Sequence, residues 1–151
     1  MDEVNVEVKL TNIRDALAEN GKKSARRKIR SLETSAVVDP GAVALVLPSF
    51  VVERLGLRRV DKQMAEYADG RSEEVDLTEP VFVEILGRRT SEEALVLGNE
   101  ILIGQTVLEK TDLFVDSRGR RLFPNPAHPN QPVSKIRTPK LVRRESLKRQ
   151  T

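Results

Sequence analysis

The segment Ser35-Ala36-Val37-Val38-Asp39-Pro40-Gly41-Ala42-Val43-Ala44-Leu45-Val46-Leu47-Pro48 sets one carboxylate in a tight turn between two apolar runs. Runs of this length, rich in Val and bounded by Gly and Pro, predict buried strands rather than an amphipathic helix, so Asp39 lies at a strand end. A carboxylate drawn out of water costs several kcal/mol unless it is hydrogen-bonded, paired or kept protonated. A group under that constraint is a candidate for acid–base chemistry. The alternative reading of the same residues is a strand-end Asp that only accepts backbone N–H bonds in its own turn.

Further matches follow in order along the chain. Leu47-Pro48 leads to Leu55-Gly56-Leu57, and Ala68-Asp69-Gly70-Arg71 forms a turn. Ile101-Leu102-Ile103-Gly104 precedes a short helical stretch, Gln105 to Lys110, and a hairpin from Thr111 to Leu122. With these residues, over positions 4–126, the chain resembles the retropepsin-like (retroviral-type, clan AA) aspartic proteases in their bacterial single-domain form. The resemblance implies an all-β fold: a closed barrel of short strands with one or two short helices and a flap hairpin. It implies an aspartic endopeptidase with Asp39 as the catalytic aspartate and Pro40, Gly41, Ala42, Ile103 and Gly104 supporting its loop. Tyr67, Ala68, Asp69 and Gly70 fall on the flap that closes over substrate.

Such chemistry needs two carboxylates sharing one proton, one acting as base on water and the other as acid. The chain offers one suitable loop, since Asp69-Gly70 is a turn and Asp116-Ser117-Arg118-Gly119 has its Gly out of place. The site is therefore expected to be completed by a second copy, in a homodimer acting on a peptide or protein substrate without metal or cofactor. A non-catalytic peptide-binding or dimerisation module of the same fold is the rival expectation.

One departure from the family pattern bears on mechanism. Pro40 stands where the family has Thr or Ser, whose hydroxyl and N–H bond across the dimer axis. Proline supplies neither donor and biases Asp39 toward extended backbone. The Arg and Asp that pair in retroviral members are replaced together, by Gln105 and Val43, so no charge is orphaned.

The elements that position these residues read as strands. Val4, Val6, Val8 and Leu10 alternate with polar residues, and Asn20-Gly21 marks a turn, with room for a helical turn at Ile13, Ala16 and Leu17. A strand over 25–33 is expected at an edge or with a bulge, because Ile29 and Leu32 are out of phase. Ser49 and Gly56 bracket a short helix as N-cap and stop. Val60 to Tyr67 and Ser72 to Leu77 flank the Asp-Gly turn, Val81 to Ile85 leads to a turn at 87–89, and two short runs follow at Ala94 to Leu97 and Ile101 to Ile103.

Composition narrows the remaining choices. With four Phe, one Tyr and no Trp, the core must be aliphatic. The absence of Cys removes disulfides and thiolate zinc sites and points to a reducing compartment, so a cytoplasmic protein is expected, with no membrane segment. His128, the sole histidine, has no ligand set around it and reads as a loop residue, which also leaves no partner for a serine nucleophile. The prolines at 124, 126, 129 and 132 mark the end of a domain over 1–133. Residues 134–151 read as a disordered tail, with Lys135, Arg137, Lys140, Arg143, Arg144, Lys148 and Arg149 against Glu145. That tail is at +6 and the rest of the chain at −3, from a net +3. It has no aromatics for stacking, which argues against nucleic acid as its partner.

Overall fold

The computed structural model describes residues 3–19 and 28–138. Its first strand, β1 (Val4–Asn12), alternates as expected, with Val4, Val8 and Leu10 turned into the core. A short helix, α1 (Ile13–Glu19), follows, and β2 (Ser31–Val38) returns antiparallel to β1 in unbroken register from Thr11 and Ser31 to Val4 and Val38. β2 is therefore an interior strand without a bulge, which corrects the expectation of an edge. Chain phase changes before the strand starts, because Arg30 is held outside the sheet by Asp15. The Asn20-Gly21 turn and the start of the expected 25–33 strand lie outside the described residues.

After the Asp39 turn come β3 (Leu45–Leu47) and α2 (Ser49–Leu55). Pro48, not Ser49, occupies the cap, its carbonyl accepting the Val51 and Val52 N–H groups. Gly56 ends the helix in the left-handed region at φ 63°. The hairpin of β4 (Arg59–Glu66) and β5 (Ser72–Thr78) carries a register shift between Arg59 and Asp61. β6 (Val81–Ile85) and β7 (Arg88–Glu92) form a second hairpin. Its turn falls on Leu86 and Gly87, both at positive φ, one residue earlier than the sequence suggests. β8 (Ala94–Val96), β9 (Leu102–Ile103), α3 (Gln105–Thr111) and the hairpin β10 (Leu113–Asp116) with β11 (Arg121–Pro124) complete the described chain.

Nine strands form one mixed sheet in the order β4-β5-β8-β3-β9-β2-β1-β6-β7. The sheet is open, and this overturns the expected closed barrel. Closure requires the two edge strands to pair. Here β4 is exposed along almost its whole length and pairs with β5 alone. At the other edge, Lys110 of α3 donates to the Ser91 carbonyl at 2.6 Å and pairs with Glu92 at 3.1 Å, so β7 is capped by a helix. The protein is mostly β with three short helices, one more than the resemblance implies.

The main core is aliphatic, with Leu10, Leu45, Leu47, Leu55, Ile85 and Ile103 fully buried. A smaller cluster of Val46, Val75 and Leu95 lies beneath the β4–β5 hairpin, with Ala44, Ala65, Leu77, Leu97 and Leu102 packed around it.

Candidate active site

β2 runs into the Asp39 turn and β3 runs out of it, yet the two do not pair. β9 lies between them, parallel to β2 through Val37 with Leu102 and Val38 with Ile103, and antiparallel to β3 through Val46 with Leu102. The thread is bonded at its tip as well, since Val37 N–H donates to the Ile101 carbonyl and Asp39 N–H to the Ile103 carbonyl, each at 2.9 Å. Two rungs make β9 a very short strand, held by burial of Ile103 on one face.

Gly104 is what lets the thread pass. Its backbone is ordinary extended chain at φ −91°, so the requirement is space. An added Cβ would collide with the Ala44 carbonyl oxygen and stand 2.8 Å from that of Val43 and 2.9 Å from that of Ala42. Directly after it, α3 opens with N–H groups that have no partner within the helix. They are taken by the loop: Gln105 N–H donates to the Ala42 carbonyl at 2.7 Å and Thr106 N–H to the Val43 carbonyl at 3.1 Å. The Thr106 hydroxyl adds a bond to Val43 O at 2.8 Å. The loop is thus fixed from below by β9 and from the side by α3.

On this platform Asp39 is half-buried, Pro40 and Gly41 are exposed, and Ala42 is half-buried. Gly41 N–H donates to Asp39 Oδ1 at 3.0 Å, and Ala42 N–H donates to the Asp39 main-chain carbonyl at 3.1 Å. No lysine, arginine or histidine among the described residues forms an ion pair with Asp39. Beside Pro40 lies a groove of about 450 Å³, lined by Leu108, Leu113, Phe114, Val115 and Phe123. Phe114 and the nearby loop residue Val43 are exposed, at 46% and 74%.

The structure brings Asp39, Pro40, Gly41, Ala42, Ile103 and Gly104 together. No hydrogen bond, ion pair or ring contact among the described residues joins the hairpin tip to them. Beyond Asp76 and Leu77, which pair with β8, the β4–β5 hairpin projects past the sheet. Tyr67, Ala68, Asp69 and Gly70 form its tip, closed by Tyr67 N–H to Arg71 O at 2.8 Å and by Gly70 at φ 88°. Tyr67 is tied within the tip: its hydroxyl donates to Glu73 at 3.2 Å and Arg71 lies over its ring at 5.3 Å. Burial and the Glu73 carboxylate raise its phenol above the ordinary value.

A polar cluster that the sequence did not reveal sits at the other end of α3. Arg88, buried on β7, donates to the carbonyls of Thr111, Asp112 and His128 at 3.1, 3.0 and 2.5 Å. Asp112 accepts from Asn125 at 3.0 Å and Val133 N–H at 3.1 Å and lies 2.6 Å from His128 Nδ1. The Asn125 bond, followed by that of His128, lowers its carboxyl below the usual range. His128 lies in the loop after β11, as expected, and there it is paired, docking the segment 125–133. No local pattern announces this, because its partners lie 16 and 40 positions away.

No group of three or more His, Cys, Asp or Glu side chains among the described residues is arranged to hold a metal ion. No helix among them is long and apolar enough to cross a membrane. A scan against models of known protein families finds no match, and neither does a search of the curated proteins.

Proposed function

We infer that the chain is an aspartic-type endopeptidase of the retropepsin-like kind, acting as a homodimer in which two Asp39 carboxylates share one proton. The observation that carries this reading is the threading of β9 beneath the Asp39 turn, with Gly104 at the crossing. That arrangement spends two strands and a helix end on fixing one turn that presents a half-buried carboxylate. Support for a partner copy comes from the groove beside Pro40, with exposed Phe114 in its lining, and from the exposed loop residue Val43. In the proposed reaction one carboxylate takes a proton from water, which attacks the peptide carbonyl. The other, protonated, donates to the carbonyl oxygen; the first then gives its proton to the leaving nitrogen as the C–N bond breaks, while a hydroxyl proton of the diol returns to the second as the carbonyl re-forms. The cytoplasmic placement belongs to the same proposal.

One observation favours the rival, a peptide-binding or dimerisation module without turnover. Pro40 is exposed and has no N–H to bond across a symmetry axis. Sedimentation equilibrium together with digestion of a mixed peptide library in acid separates the readings. A concentration-dependent dimer that cleaves is expected; a protein that binds peptides without cutting them would favour the module, and a strict monomer would defeat the endopeptidase reading.

A further inference from the structure

The Asp39 turn carries a chemistry that needs neither a second copy nor a substrate. Asp39-Pro40 is the one Asp-Pro pair in the sequence. Pro40 and Gly41 are exposed, so water reaches the bond between residues 39 and 40. The Asp39 carbonyl oxygen accepts the Ala42 N–H at 3.1 Å, which polarises the carbonyl and stabilises charge developing on that oxygen. Gly41 N–H holds Oδ1 at 3.0 Å, turning the carboxylate back toward its own main chain and leaving Oδ2 without a hydrogen-bond donor among the described residues. Proline lacks an N–H and departs as a secondary amine, a stronger base than the primary amine released at other residues.

We propose that this turn is a self-scission site, at which the Asp39 carboxylate cleaves the Asp39–Pro40 bond of its own chain in mild acid. Oδ2 adds to the Asp39 carbonyl carbon, forming a C–O bond and closing a cyclic anhydride precursor. A hydronium ion protonates the Pro40 nitrogen, and the C–N bond breaks with its electron pair going to that nitrogen. Water then opens the anhydride: its oxygen bonds to the carbonyl carbon, the ring C–O bond breaks, and the surplus proton returns to solvent. One water is consumed and nothing is oxidised or reduced. The products are 1–39, ending in Asp39 with two carboxyls, and 40–151, beginning with Pro40. Scission would separate β2 from β3 at the centre of the candidate site, so acid exposure would set a lifetime for it.

The full-length protein, held in acidic buffer where circular dichroism shows it folded, is followed by intact mass spectrometry beside a urea-unfolded sample at the same pH. The folded chain is expected to yield 1–39 and 40–151 about tenfold faster than the unfolded one. The rate should be first order and should not rise with protein concentration, and it should vanish in Asp39→Ala and fall sharply in Pro40→Ala. Folded protein that splits no faster than unfolded protein would overturn the proposal. So would a rate that rises with protein concentration, which would instead indicate cleavage of one copy by another and leave the protease reading standing.

Discussion

Two carboxylates, Asp15 in the first turn of α1 and Asp39 in the turn after β2, are treated differently. Asp15 is 7% exposed, and Arg30 grips it with Nε at 2.7 Å, Nη2 at 3.0 Å and its own N–H at 3.0 Å. The Arg30 hydrogen bonds hold its carboxyl down at about 2, against an ordinary 3.8. Asn12 completes that corner, fully buried, donating to Leu55 O at 2.8 Å and accepting the Asp15 N–H at 3.0 Å. Asp39 receives a backbone N–H and no cation among the described residues, in a loop whose carbonyls are bonded by α3. A carboxylate clamped by a guanidinium is locked in one charge state and serves the fold. One held by a backbone N–H keeps its oxygens available, and for that reason the proposed function assigns the chemistry to Asp39 rather than to Asp15.

The largest effect should come from breaking the loop side. Gly104→Ala places a methyl against three carbonyl oxygens that cannot retreat without releasing the Asp39 turn. A loss of about 3 kcal/mol is expected in urea denaturation, with the Asp39 loop resonances shifting in NMR spectra. A near-neutral outcome would mean that the crossing is looser than described.

The clamped side responds to pH. Because folding depresses the Asp15 carboxyl from 3.8 to about 2, its contribution is complete above pH 3.8 and is lost as pH falls through about 2. With Arg30 partly exposed, that contribution amounts to about 1–2 kcal/mol. In Asp15→Asn, stability at neutral pH should fall by this amount, and the acid slope in that window should flatten. An unchanged slope would assign acid sensitivity to other carboxylates.

The smallest effect belongs to the hairpin tip. Tyr67→Phe removes an exposed hydroxyl bond to Glu73 and should leave stability nearly unchanged. If the tip contacts peptide in the proposed dimer, KM should move while the thermal midpoint does not.

What was legible in the sequence followed local rules. Alternation in Val4–Leu10 gave β1, Asp69-Gly70 gave the hairpin, and Gly56 gave the end of α2, since each depends on neighbours a few residues apart. The Asp39 turn was visible because its flanks are continuous apolar runs. Closure of the sheet was not, because it depends on whether β4 and β7 can meet, and that is decided by Lys110 reaching Ser91 across 19 positions. Arg88 reads as a turn residue beside Gly87 but is a buried strand residue whose charge is satisfied by three carbonyls from distant segments. His128 was opaque for the same reason.

The central claim is that the two Asp39 carboxylates of a dimer perform hydrolysis, with Pro40 weakening the pair. Peptide-library turnover in acid by the native chain, Pro40→Thr, and Asp39→Asn combined with Pro40→Thr tests it most directly. Restoring a hydroxyl and an N–H to each loop should tighten the dimer and raise turnover, and the double variant should abolish it, since an amide cannot share the proton. A Pro40→Thr protein that dimerises tightly yet cuts nothing across the library and pH range would contradict the claim.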